Sequence, residues 1–107
     1  MNEQSIAEAT LELARGGVPA GATLRSVQMI VGPMRGIDPQ FMHLAWQALG
    51  QADVALMVCV LPWTLQCAAC GRRWEQPELA ERCDCGSAKV TPIGGNELEL
   101  HSIEIDD

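Results

Sequence analysis

Residues 67–85 read CAACGRRWEQPELAERCDC, a stretch that begins and ends with a close pair of cysteines. The two pairs are separated by a loop of twelve residues, 71–82, and a glycine follows each pair. Thiolates in this arrangement are typical of a tetrahedral Zn(II) site with Zn–S distances of about 2.3 Å. The glycines allow the backbone to turn tightly past the sulfurs. The pattern predicts a structural zinc site whose ligands are Cys67, Cys70, Cys83 and Cys85.

Other uses of these cysteines stay open at this point. The second pair is C-x-C instead of the usual C-x-x-C, so it would hold the ion with a tighter turn. Cys67 and Cys70 also have the spacing of a redox pair, but a thioredoxin-like motif would lie between a strand and a helix. No apolar signal peptide opens the chain, which disfavours disulfides. An iron centre of rubredoxin type is a further alternative, because four thiolates do not choose the metal. The fifth cysteine, Cys59, lies in an apolar run and is expected to be a small buried hydrophobe.

Length and charge limit the possible functions. A chain of 107 residues has room for one main domain and a small appendage. Its formal net charge of -7 disfavours a nucleic-acid partner, which would require clustered Lys and Arg. The longest apolar run, residues 54–61, is too short to span a bilayer, so we expect a cytoplasmic protein without membrane association. No nucleophile–base pair, phosphate loop or paired carboxylates are evident, and we expect the protein not to be an enzyme.

Two helices are predicted before the cysteines. Residues 3–15 have helical periodicity, with an expected buried face at Ile6, Ala9 and Leu13. In the second helix, Asp38 is expected to be the N-cap and Pro39 the first helical residue. The buried stripe predicted for that helix consists of Phe41, Leu44, Ala45, Ala48 and Leu49.

Three strands complete the expected main domain, at residues 23–31, 54–61 and 97–105. The second is apolar on both faces and is expected either to be central or to meet a partner with its outer face. Trp63 is expected at a hinge, and Trp74 over the metal site. The order α-β-α-β-module-β predicts an α+β fold, a small three-stranded sheet with two helices plus an inserted zinc-ribbon-like module. We assign 1–62 and 93–107 to the main domain and 63–92 to the zinc-binding module.

Several short motifs follow one another along the chain: M-x-E-x-S at 1–5, V-G-x-M-x-G-I-x-P at 31–39, C-x-x-C-G at 67–71, C-G-S at 85–87, G-N-E-L at 95–98 and S-I-E-I at 102–105. In their order and spacing they resemble the motifs of the HypA family of nickel metallochaperones in [NiFe]-hydrogenase maturation. The resemblance covers essentially the whole chain. It implies an accessory protein that delivers nickel to the hydrogenase large subunit, with a HypB-type GTPase and the large-subunit precursor as partners.

The resemblance also implies a nickel site at the amino terminus. Family members hold nickel in a Met-His-Glu motif through the free amine, backbone nitrogens and imidazole, a donor set that suits Ni(II). Here Asn2 stands in place of the histidine. The residues that carry over to this site are Met1, Asn2, Glu3 and Asp38. Glu3 equally fits a first-turn acid favoured by the helix dipole, and Asp38 fits an N-cap.

Three explanations of Asn2 compete. Either the substitution is engineered, or the chain is a divergent paralogue that binds nickel weakly, or the protein has lost nickel binding and become a zinc-containing docking scaffold. We favour a natural divergent paralogue, because the short second cysteine pair accompanies Asn2. His43, among apolar neighbours, is expected to be structural, and His101 is an isolated imidazole without a partner set. A redox or iron module and a nucleic-acid zinc ribbon are the other rival functions.

Overall fold

The computed structural model describes residues 3–107, which form two α-helices and two three-stranded sheets. This arrangement confirms the predicted α+β class, with a three-stranded sheet, two helices and an additional cysteine-bearing module. A 3-10 turn at Pro33–Arg35 precedes the second helix. The elements are α1 Glu3–Gly16, β1 Thr23–Val31, α2 Pro39–Ala48, β2 Ala55–Val60, β3 Trp63–Cys67, β4 Arg73–Gln76, β5 Val90–Pro92 and β6 Leu98–Asp106.

The first sheet has the strand order β2-β1-β6, with β1 in the centre. Val27 of β1 is paired with Leu56 of the parallel strand β2 and with Ile103 of the antiparallel strand β6. The expectation that β2 could be a central strand is therefore wrong, because β2 lies at an edge. Its apolar composition does not mean burial on both faces, since Met57 and Val60 are exposed. The last strand is shifted by one residue from its predicted bounds.

The helix α1 buries a different face from the predicted one. Ile6 is buried as expected, but Ala9 is exposed and Leu13 keeps 65% of its surface exposed. The residues that α1 buries are Ile6, Ala7, Thr10 and Ala14. Small side chains at several of these positions let the helix backbone approach its neighbours, and a periodicity argument that favours large apolar residues misses such a face.

The helix α2 begins as predicted and packs differently. Oδ1 of Asp38 accepts a hydrogen bond from the backbone N–H of Gln40 at 2.8 Å, which confirms the N-cap. The predicted stripe is wrong for most of its residues, because Phe41 is 59% exposed and Leu44 is 54% exposed. The residues that α2 buries are Met42, Ala45 and Trp46. Apolar residues occupy most of the circumference of this helix, all but the side of Gln40, His43 and Gln47, so the sequence alone does not select which apolar face meets the sheet.

Two polar side chains of α2 contact the backbone at the start of β2. Trp46 Nε1 donates a hydrogen bond to the carbonyl of Val54 at 2.9 Å. The ring nitrogens of His43 lie 2.7 Å from the Pro39 carbonyl oxygen and 2.8 Å from that of Leu56. His43 thus makes the structural contacts expected of it, although it is exposed.

The second sheet, with strand order β4-β3-β5, is antiparallel and carries the first cysteine pair at the end of β3. Three hydrogen bonds join the segment after β1 to the segment before β6, where the chain returns from this sheet. Gly32 N–H donates to the Glu97 carbonyl at 2.7 Å, and Met34 N–H donates to the Gly95 carbonyl at 2.8 Å. Arg35 Nε donates to the Asn96 carbonyl at 2.7 Å. A Cβ at Gly32 would overlap the backbone of Gly95, so only glycine permits this approach.

Cys59, predicted to be buried, is exposed on the edge strand β2, because the edge position leaves part of that strand uncovered. Among residues 3–107, no helix has both the length and the apolar character needed to cross a membrane.

Candidate metal centre

The first cysteine pair lies in a tight turn that leaves β3. Cys67 is the last residue of β3, and Cys70 follows in the turn. Gly71 N–H donates to the Cys67 carbonyl at 2.9 Å, and Cys67 N–H donates to the Arg72 carbonyl, also at 2.9 Å. Gly71 adopts a φ of 77°, in the left-handed region that favours glycine. These contacts direct both thiols of the pair to the same side of the turn.

The second pair forms a similar turn despite its shorter spacing. Cys83 N–H donates to the Ser87 carbonyl at 3.0 Å, and Gly86 N–H donates to the Cys83 carbonyl at 2.8 Å. The two turns are connected, because Ala68 N–H donates to the Lys89 carbonyl at 2.9 Å. The C-x-C spacing therefore still brings the second pair against the first.

The four sulfurs Cys67, Cys70, Cys83 and Cys85 lie within 4.8 Å of one another. Two of the Sγ–Sγ distances, Cys67 to Cys85 and Cys70 to Cys83, are 3.7 and 3.6 Å. A tetrahedral centre with Zn–S bonds of about 2.3 Å has sulfurs about 3.8 Å apart, whereas a disulfide requires about 2.05 Å. The thiols are thus separated as the ligands of one metal ion would be, and the donor set fits zinc.

The thiols differ in burial and in acidity. Cys67 and Cys83 are buried, whereas Cys70 and Cys85 are exposed. A hydrogen bond from the Cys70 backbone N–H, with a weaker one from Ala69, lowers the pKa of Cys67 to about 6, although burial opposes this. Cys67 is therefore a thiolate near neutral pH, and thiolates are the form that binds metal.

Cys85 has the opposite tendency. The backbone N–H of Ser87 lowers its pKa, but partial desolvation of the sulfur, together with hydrogen bonds that the Cys85 thiol donates to the neighbouring cysteine sulfurs, outweighs this effect and raises the pKa of Cys85 to about 11. Cys67 is thus the more acidic of the two thiols, and Cys85 holds its proton more strongly. A metal ion that binds all four sulfurs must displace that proton.

Two of the four residues predicted for nickel, Glu3 and Asp38, are among those that the structure describes. Met1 and Asn2 lie outside the described residues. Glu3 is half-buried in the first turn of α1, and Asp38 caps α2. Within residues 3–107, the four cysteines are the only group of three or more His, Cys, Asp or Glu side chains whose ligand atoms converge. His101 is exposed on β6 and belongs to no such group.

The sequence did not predict that Arg72 would contact Asp84 and Trp74 beside the cysteine cluster. Arg72 Nη1 lies 2.7 Å from Oδ2 of Asp84, and its Cζ lies 4.8 Å from the ring centroid of Trp74. Trp74 was expected over the metal site, and the structure places its ring against Arg72. The only signal in the sequence is the position of an arginine two residues after Cys70 and of an acid between Cys83 and Cys85.

Comparison with known proteins gives a consistent result over the whole chain. Residues 1–105 match the family model described as "HypA: Hydrogenase/urease nickel incorporation, metallochaperone, hypA". The hydrogenase maturation factor HypA of Albidiferax ferrireducens is 27% identical over 113 aligned residues, which cover 99% of this chain and 100% of that protein. That of Synechococcus elongatus is 31% identical and covers 98% of this chain and 99% of its own length.

The fold is also that of a solved structure. The solution structure of the Ni metallochaperone HypA from Helicobacter pylori superposes with a TM-score of 0.59 at 22% identity, covering 98% of this chain and 97% of that one. At this identity the likeness concerns the fold. The family model and the relatives carry the assignment: the chain belongs to the HypA family of nickel-incorporation metallochaperones, whose members are accessory factors and not enzymes.

Proposed function

We propose that this protein delivers nickel to the large-subunit precursor of a [NiFe]-hydrogenase and carries a permanent zinc ion as a structural element. The observation that carries the zinc part is the convergence of four cysteine sulfurs within 4.8 Å of one another. Membership of the family described by nickel incorporation supports the delivery part. Nickel is here the cargo, whereas zinc stays with the protein.

The zinc ion would be saturated by the thiolates of Cys67, Cys70, Cys83 and Cys85, which leaves no open position for catalysis. Its role is to stabilise a segment with a small core, since among the apolar residues of β3–β5 only Leu65 and Cys67 are fully enclosed. Binding a structural zinc ion contributes directly to folding. We therefore treat residues 63–92 as a zinc-binding module inserted into a domain made of 1–62 and 93–107.

The nickel site would use the amino terminus, with Met1, Asn2, Glu3 and Asp38 as the candidate residues. Asp38 already accepts the Gln40 N–H through one oxygen, but an ionised carboxylate has further lone pairs for a metal. The amide of Asn2 is a weaker donor than an imidazole, so binding weaker than that of a histidine-bearing terminus is expected.

The proposed partners are a HypB-type GTPase and the hydrogenase large-subunit precursor. All of the excess negative charge lies outside residues 63–92, because that segment contains as many basic as acidic residues. An acidic α+β part with exposed apolar residues such as Phe41 and Leu44 on α2 suits docking to another protein.

Two measurements test the proposal on the tag-free chain with its native Met1. Native mass spectrometry should find one zinc ion per chain. Calorimetric titration of the zinc-loaded protein with Ni(II) should then show one bound equivalent, which acetylation of the terminal amine abolishes. The matched variant Asn2→His should bind nickel more tightly by restoring an imidazole donor. A folded chain without zinc would contradict the structural zinc site.

The alternative function is a zinc-containing docking scaffold in hydrogenase maturation that has lost nickel binding. The observation that favours it is Asn2, which removes the imidazole from the terminal motif. The same titration distinguishes the two. If Asn2→His binds nickel and the native chain does not, the scaffold is the correct function.

A further inference from the structure

Arg72 connects the two halves of the cysteine cluster. Its backbone carbonyl accepts the N–H of Cys67 at 2.9 Å, which attaches it to the first pair. Its side chain reaches the second pair, where Nη1 lies 2.7 Å from Oδ2 of Asp84. Asp84 is the single residue between Cys83 and Cys85. One arginine therefore contacts both ligand-bearing turns.

Trp74 fixes the direction in which the guanidinium points. The Arg72 Cζ atom lies 4.8 Å from the centroid of the Trp74 ring, within the range of a cation–π contact. The ring is half-buried, and its Nε1 donates to Oε1 of Gln76 at 2.8 Å, which restrains its own rotation. A planar guanidinium stacked on a restrained ring loses less conformational freedom when it binds a carboxylate.

The Arg72–Asp84 contact lies next to the negative charge of the cysteine cluster. Four thiolates and one divalent ion carry a net charge of two negative units, and Asp84 adds a further negative charge between two of the ligands. The guanidinium of Arg72 neutralises that carboxylate.

The ion pair contributes little to folding by itself. The Asp84 side chain is 91% exposed and that of Arg72 is 45% exposed, and water screens pairs of this kind strongly. Its effect should instead appear in the metal site, because removing a group that orients metal ligands typically lowers metal affinity by about 10–100-fold. The C-x-C turn has one residue fewer than a C-x-x-C turn, so its backbone has less freedom to bring both sulfurs to the ion. Orientation of this turn by Arg72 is therefore more important.

We propose that Arg72 is a positioning residue that holds the Cys83-Asp84-Cys85 turn against the first cysteine pair and slows the release of zinc. The inference rests on the zinc site of the proposed function. The side chain does not bind the metal. It acts by retaining two of the four ligands in place while a competing chelator attacks the ion.

The test is the rate at which zinc passes from the full-length, zinc-loaded protein to an excess of a chromophoric chelator such as 4-(2-pyridylazo)resorcinol. Arg72→Gln should release zinc about tenfold faster than the native chain, as expected for loss of a group that orients ligands. Arg72→Lys, which keeps the charge but not the planar stack, should fall between the two. The matched control is Arg73→Gln, which removes the same charge from the exposed neighbouring arginine and should release zinc at the native rate.

Cobalt substitution supplies a readout that a change in stability alone would not move. The d–d absorption bands of the Co(II) protein should shift in Arg72→Gln and stay unchanged in Arg73→Gln. Adding Asp84→Asn to Arg72→Gln should increase release little further, because both changes remove the same contact.

The outcomes distinguish failure of the role of Arg72 from failure of the zinc site. Equal release from Arg72→Gln and Arg73→Gln, in a native chain that holds one zinc ion, would overturn the role of Arg72 and leave the zinc site intact. A native chain that retains no zinc would overturn both. If Arg72→Gln does not fold, native-like release from Arg72→Lys together with unchanged cobalt bands overturns the role of the planar guanidinium.

Discussion

The indole N–H of Trp46 donates a hydrogen bond to the carbonyl of Val54, with 2.9 Å between the nitrogen and the oxygen. Trp46 lies near the end of α2, and Val54 directly precedes β2, so the contact closes the connection between the helix and the edge strand. Both residues are buried. Within the described residues, every buried side-chain nitrogen and oxygen has such a partner.

Replacing Trp46 by phenylalanine should lower the free energy of unfolding. The ring would still fill most of the space, but the buried Val54 carbonyl would lose its donor, which costs about 1–3 kcal/mol. Urea denaturation of the zinc-loaded protein, followed by circular dichroism, measures the change. The control Phe41→Leu, at an exposed position of the same helix, should change the free energy by less than about 0.5 kcal/mol. Similar values for the two variants would contradict the role of the hydrogen bond.

Gly32→Ala should disturb the connection between the segment after β1 and the segment before β6. A Cβ at this position would overlap the Gly95 carbonyl, and the backbone would have to move, at a cost of about 1–3 kcal/mol or more. The control is Gly16→Ala, where a Cβ meets no atom within 4 Å. Thermal unfolding should show a lower midpoint for Gly32→Ala alone. An unchanged midpoint would mean that the backbone contact is not needed for stability.

Asp38→Ala should destabilise the protein by about 1 kcal/mol, because the first turn of α2 loses the acceptor for the Gln40 N–H. Asp38→Asn retains a capping oxygen and should be close to the native chain in stability. This pair of variants also separates the two roles considered for Asp38. If nickel binding falls in Asp38→Asn while stability is kept, the carboxylate serves the metal; equal loss of stability in both variants would argue against the cap.

Cys70→Ser should abolish retention of the metal ion, since Cys70 supplies one of the four converging sulfurs. Cys59→Ser is the matched control, because Cys59 is also exposed but lies on β2, outside the cluster. Metal content by elemental analysis after dialysis should be one zinc per chain for the native protein and for Cys59→Ser. Iron in place of zinc, or full metal retention by Cys70→Ser, would contradict the assigned centre.

Much of the local structure follows from short-range chemistry and was predictable. The strand at Thr23–Val31 was predicted with its observed bounds, and the cap at Asp38 and the glycine turns after the cysteine pairs were also found. Each of these depends on residues that are adjacent in the sequence. The convergence of the four thiols was expected from spacing and glycines alone, and the structure brings them together.

The predictions that failed concern which face of a helix or strand is buried in the core. For α1, Leu13 was expected in the core and is exposed, whereas Thr10 is buried. For α2, Phe41 was expected in the core, whereas Met42 is buried. Cys59 was placed in the core because its strand is apolar, yet the strand lies at a sheet edge.

The sequence by itself determined the order of the elements, the turns that present the thiols and the family to which the chain belongs, because these depend on residue types and on short spacings. Only the tertiary structure decided which helix faces meet the sheet, that β2 is an edge strand, and that Arg72 reaches Asp84 across the cluster. The physical reason is that a surplus of apolar residues offers several faces of similar hydrophobicity. The choice among them is made by packing against distant parts of the chain, which no local pattern contains.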